Sequence, residues 1–155
     1  MIDAVSLKIL KILQQKARIP NVEVARQVGM APSAVLERIR KLEKQGFIDG
    51  YEVRLNPKRF AKSLVAFVKV KLKNLGEEIK VGETLSQIPE VQEVHYVAGE
   101  DAFLVKIRAA DTEALSRLTR DKIASIAAVQ STQTAIALST YKETARIPID
   151  KIEKK

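Results

Sequence analysis

The stretch NVEVARQVGMAPSAVLERIRKLEKQ, residues 21–45, constrains this chain more than any other part of it. It reads as two short amphipathic helices hinged at Gly29, the second with a row of cations on its outer face. In the first helix Asn21 is the expected N-cap and Val24, Ala25 and Val28 the buried side. Ala25 matters for its size, because a short side chain lets two helices cross closely. Gly29 ends that helix, where a left-handed conformation costs glycine little, and Met30 is the apolar plug of the turn. Pro32 suits the first turn of the next helix because its missing N–H is not needed there, and Val35, Ile39 and Leu42 follow at i, i+4, i+7. The outer arc then holds Ser33, Glu37, Arg40, Lys41 and Lys44, with Arg38 on its flank. A helix of this kind fits the major groove, and the layout is that of a DNA-reading helix-turn-helix.

The side chains of that arc have distinct chemistries. Arg38, Arg40, Lys41 and Lys44 suit phosphates or guanine edges, and Ser33 suits either. Glu37 is open to two roles: accepting from a cytosine amine, or pairing with Lys41 one turn on, the pair being the simpler expectation. Charge supports a polyanionic partner. Residues 1–63 hold 13 Lys and Arg against 6 Asp and Glu, and residues 64–155 hold 14 against 13, so the basic excess of this +8 chain lies with the helix-turn-helix.

Composition excludes several classes. Without cysteine there are no disulfides, thiolate zinc sites or cysteine nucleophiles, and a single histidine argues against a His-based metal site or triad. No run approaches the roughly 18 apolar residues of a membrane span, and no basic-then-apolar leader opens the chain. The expectation is a cytoplasmic protein with no membrane partner.

Asp3 caps a scaffold helix with Val5, Leu7, Ile9, Leu10, Ile12 and Leu13 on one side. After the recognition helix, Phe47, Ile48, Tyr51, Val53 and Leu55 suggest a short extended wing closed by Asn56-Pro57. From Leu64 the period becomes that of strands, with Ala66, Val68, Val70 and Leu72 on one face and Lys69, Lys71 and Lys73 on the other. A helix follows over 77–88, with Glu77-Glu78 at its N-terminus, then strands over 91–98 and 102–109 around a turn at Gly99-Glu100-Asp101. Asp111 caps a second helix carrying Leu115, Leu118 and Ile123, and 131–140 is a last strand. The order βαββαβ is that of a ferredoxin-like sandwich. His95 is expected to be a packed or interface side chain, and the tail from Tyr141, with Pro148, to add an edge strand and then fray.

Two blocks carry a resemblance. SAVLERIRKLEKQGFIDGYEVRLNP is similar to the recognition helix and wing of the Lrp/AsnC family of regulators, and VAGEDAFLVK to its effector-domain hairpin. The similarity runs from about Asp3 to Tyr141. It implies an α+β protein with an N-terminal winged helix-turn-helix over 1–55, a linker over 56–63, a ferredoxin-like effector and oligomerisation domain over 64–141, and a tail over 142–155. It also implies homodimers that assemble up to octamers, and transcription control through a small-molecule effector, commonly an amino acid. Carried over by position, the DNA-facing stretch is Ala31 to Lys41, adding Pro32 and Ala34 to the arc, and the effector pocket is Gly99, Glu100, Asp101 and Ala102 with Thr132 and Thr134.

There are two departures. Ala31 stands where the family usually has serine, a lost cap that costs roughly 1 kcal/mol, so Ser33 or the Pro32 turn must order the helix start. Ala102 stands where a second carboxylate is usual, so Asp101 or Glu100 must meet an effector ammonium, or no amino acid binds. A small enzyme using Glu100 and Asp101 is set aside, because no nucleophile–base pair, phosphate-cradling glycine loop or metal set accompanies them. The expectation is a sequence-specific regulator with no catalytic role and no cofactor. Its alternative is an architectural, weakly selective DNA binder.

Overall fold

The computed structural model describes residues 2–74 and 76–149. They form two compact units: one from the chain up to Arg54 with the segment from Glu143 onward, the other Leu55–Lys142.

The first unit is three helices, α1 (Ala4–Gln15), α2 (Asn21–Val28) and α3 (Pro32–Lys44). Asp3 caps α1, its Oδ1 accepting from the Ser6 N–H at 2.7 Å. Ile9, Leu13, Val24, Ala25, Val35, Ile39 and Leu42 make the core, with Met30 and Ile48 packed against it. The i, i+4, i+7 spacing on α3 works as expected, all three of its apolar residues being buried. Gly29 is left-handed at φ 71°, and Ala25 O accepts the Met30 N–H at 3.1 Å, which closes α2 and turns the chain into α3. Asn21 is not the cap of α2. That place falls to Pro20, whose ring fixes the entry without a side-chain hydrogen bond, and Asn21 is already helical. The expected wing is not formed within one chain. Residues 48–56 belong to neither helix nor strand, because a strand needs a partner's backbone and none of the described residues offers one there. Asn56-Pro57 does close the segment, the Asn56 side chain accepting from the Lys58 N–H at 3.1 Å as a short 3-10 turn begins.

The second unit is β1 (Leu64–Leu72), α4 (Glu78–Ser86), β2 (Val91–Val97), β3 (Ala102–Ala109), α5 (Thr112–Leu118) and β4 (Val129–Ile136). The sheet order is β2-β3-β1-β4, with every adjacent pair antiparallel. That is the ferredoxin-like sandwich. Period-2 alternation sorts β1 as expected: Ala66, Val68 and Val70 are fully buried against the helices while Phe67, Lys69 and Lys71 line the open face. Phe103, Val105 and Ile107 of β3, Val81 and Leu85 of α4, and Leu115 and Leu118 of α5 complete the core.

Ile123 reaches that core through a π turn over Thr119–Ile123, where the Ala124 N–H donates to Thr119 O at 2.8 Å. In an unbroken α-helix the residue four beyond Leu118 returns to the buried face, and here that residue is Lys122. The wider turn inserts one residue, so Ile123 is fully buried and Lys122 stays outside with Glu90 at 3.1 Å. β4 begins and ends earlier than its sequence suggests. No edge strand forms over 141–149, and the late lysines from Lys151 lie outside the described residues.

Candidate nucleic-acid interface and ligand site

α3 is held on both flanks, which decides which of its polar side chains remain available. On one flank the Arg38 guanidinium donates to Asp3 Oδ2 and, at 2.9 Å, to Ser6 Oγ, tying α3 to the capping turn of α1. The Arg38 hydrogen bond, with that of the Ser6 N–H, holds the Asp3 carboxyl down at about 2. On the other flank the Tyr51 hydroxyl donates to Glu43 Oε1 at 2.8 Å, and burial together with that bond pushes the phenol up to about 12. A groove of about 420 Å³ runs beside Arg38, between the start of α1 and α3.

Between the flanks Ser33, Glu37, Arg40, Lys41 and Lys44 are exposed, as is Pro32 at the helix start, while Ala34 is half-buried. Of the residues expected to face DNA, Arg38 therefore differs from the rest: it is half-buried and committed to α1. The simpler expectation for Glu37 is also overturned. No Glu37–Lys41 ion pair forms, and among the described residues neither side chain has a partner. Ser33 makes no capping bond either, so the start of α3, with Ala31 as N-cap and Pro32 next, rests on proline's fixed backbone. Sequence reasoning missed the roles of Ser6, Glu43 and Tyr51. Only the conjunction of a charged flank with a distant polar partner marks them, and that is a tertiary fact.

The residues expected to form a ligand pocket fall into two groups that one chain does not bring together. The hairpin residues follow β2: Gly99 is at φ 100°, Asp101 is left-handed at φ 47°, Glu100 forms an ion pair with Lys69, and burial, followed by the charge of the neighbouring Asp101, raises the Tyr96 phenol. Aspartate tolerates that conformation better than most residues. Ala102 is fully buried, so a carboxylate at that position would need a buried partner. His95 is exposed beside Glu93 at 3.2 Å, on the open face rather than packed. Thr132 and Thr134 sit on edge strand β4 opposite Val70 and Val68, and thus on the helix-facing side of the sheet. They line a cleft of about 410 Å³ with Thr112, Ser116, Thr119 and Arg120, where the buried Thr119 hydroxyl has no hydrogen-bond partner among the described residues. Two strand spacings, about 10 Å, separate β4 from β3. Glu100 lies with Lys69 on the opposite face of the sheet.

A cationic, outward-facing recognition helix carried in one chain with a separate sandwich places this molecule among DNA-binding regulators built from a reading unit and a ligand unit. Residues 2–49 match the family described as winged helix-turn-helix DNA-binding, and residues 65–147 match the Lrp/AsnC ligand binding domain. The chain is 34% identical over 150 residues to the leucine-responsive regulatory proteins of Klebsiella pneumoniae and Escherichia coli, covering 96% of this chain and 92% of each of theirs. Among solved structures, Escherichia coli AsnC superposes with a TM-score of 0.87 at 28% identity, over 96% of this chain and 99% of that one. A Neisseria meningitidis transcriptional regulator in complex with L-methionine gives 0.91 at 29%, over 97% and 98%. A feast or famine regulatory protein from M. tuberculosis complexed with L-methionine gives 0.86 at 28%, over 95% and 99%. This chain belongs to the Lrp/AsnC family, and it is a DNA-binding transcriptional regulator of that type.

Proposed function

We propose that the chain acts as a homodimer, or an assembly of dimers up to an octamer, that reads a pseudo-palindromic operator with α3 of each protomer and is tuned by an amino acid. The observation that carries the reading is the arc of Arg40, Lys41 and Lys44, exposed and, among the described residues, unpaired while both flanks of α3 are pinned. Unpaired cations on a fixed helix are available to phosphates and guanine edges without breaking an internal contact first. Half-sites would lie about 34 to 36 Å apart, or at a multiple of that.

Self-association is supported by the sheet, whose open face carries exposed Phe67 and Leu104 beside the lysines. The ligand site is proposed to need two copies, the hydroxyl cleft with Thr132 and Thr134 coming from one and the Gly99–Asp101 hairpin from another. Methionine, held by two of the relatives above, is the first amino acid to test. With Ala102 in the hairpin and Glu100 held in an ion pair by Lys69, Asp101, whose partner is the neutral Tyr96 hydroxyl, is the carboxylate proposed to meet an ammonium. We read the chain as non-catalytic, without a cofactor and cytoplasmic; no helix of the described residues is long and apolar enough to cross a membrane.

Selection of bound duplexes from a random pool tests the reading. A recurring pseudo-palindrome held at least about a thousandfold more tightly than its scramble is expected. No enriched sequence, with affinity collapsing as salt rises, would replace it with architectural binding.

A further inference from the structure

We infer that Glu37 is a specificity-determining residue that reads cytosine in each half-site, an inference that rests on α3 being the DNA-reading helix. Glu37 lies on the outer arc of α3, on the turn after Ser33 and beside Lys41, within the N-terminal half of the helix that reaches base edges. It is exposed and has no hydrogen bond or ion pair among the described residues. The other acidic residue of α3, Glu43, is on the flank and accepts from Tyr51. The neighbouring Arg38 is occupied by Asp3 and Ser6. Glu37 is thus the one carboxylate of α3 that a groove would meet bare.

A bare carboxylate in a cationic arc weakens attraction to phosphate, so it contributes nothing to sequence-neutral binding. Its gain has to come from a base. An ionised carboxylate only accepts hydrogen bonds. In the major groove, guanine offers acceptors at N7 and O6 and thymine an acceptor at O4, and all of these repel it. Adenine offers its N6 amine beside the N7 acceptor, which sets a repulsion next to the attraction. The cytosine N4 amine is the donor without such a neighbour on its own base, and it is the pairing the carboxylate satisfies best.

The test is duplex selection with wild type, Glu37→Gln and Glu37→Ala, with oligomer size and melting temperature followed for each. Wild type should enrich cytosine at one position of each half-site. Glu37→Ala should lose that preference, by about 5- to 150-fold in discrimination, while binding scrambled DNA more tightly. Glu37→Gln, nearly isosteric, should move the preference toward adenine, because an amide matches the N6 and N7 pair. Unchanged base preferences at every position in both variants would overturn the assignment, as would a drop in melting temperature without any change in base choice. Should wild type itself enrich no sequence, the DNA-reading proposal would fail first and take this inference with it.

Discussion

Arg38 and Lys41 lie one turn apart on the same helix and carry the same charge, yet their surroundings give them different work. Lys41 is exposed and, among the described residues, without a partner, whereas Arg38 is half-buried and bonded to Asp3 and Ser6. Replacing Lys41 with alanine should weaken binding to all sequences to a similar degree and lower the salt dependence by about one ion, with no change in melting temperature. Arg38→Ala should instead lower the melting temperature and weaken DNA binding through a loosened α3. Titrations across salt, paired with thermal melts, separate the two behaviours. Asp3 adds a pH signature. Its carboxyl is held down at about 2 against an ordinary 3.8, so its contribution is fully present above about 4 and is lost as pH falls toward 2. The melting temperature of Asp3→Asn should therefore be below wild type at neutral pH, and the gap should narrow between pH 4 and 2.

At the scale of elements, what was legible in the sequence was whatever repeats locally. The i, i+4, i+7 row of Val35, Ile39 and Leu42 and the alternation of Ala66, Val68 and Val70 each specify a buried face, and each is buried. The reading arc of α3 follows directly from the first of these rows. The π turn is half legible, since Lys122 stands where an α-helix would need an apolar residue and Ile123 follows it. Ile123→Ala should cost about 2–5 kcal/mol in denaturant unfolding. Lys122→Ala, which removes only a partly exposed ion pair with Glu90, should cost about 0–1 kcal/mol. Contacts between distant segments left no local period to find. The Gln14 side chain grips the backbone of Ile147, its Oε1 accepting from the N–H at 2.7 Å and its Nε2 donating to the carbonyl at 2.9 Å. Arg146 donates to Gln15 O beside it at 3.2 Å. The chain thus enters the DNA-binding unit twice, which nothing in the composition of the tail announces. Gln14→Ala should speed hydrogen exchange at the Ile147 amide while leaving β1 and β3 amides unchanged.

For the whole molecule, the separation of the expected ligand residues carries the strongest consequence. The Gly99–Asp101 hairpin and the Thr132–Thr134 cleft lie at different places on one sheet, and Glu100 is drawn by Lys69 to the face opposite the cleft. If two copies are needed to bring them together, ligand binding and assembly are one equilibrium. A ligand that binds only the assembled form must tighten assembly by the factor by which assembly tightens the ligand, because the coupling free energy is shared. The open sheet face offers the means to test this away from either ligand element, through exposed Phe67 and Leu104. Phe67→Glu with Leu104→Lys sets charge on a face that an interface would have to desolvate. Sedimentation should show the double variant as a monomer, and calorimetry should show that it no longer takes up methionine, although neither substitution lies in the cleft or the hairpin. Its affinity for a single half-site should persist, while its advantage on a two-half-site operator disappears. Methionine binding by a monomeric variant would mean that one chain completes the ligand site, and that regulation passes through it without a change of assembly.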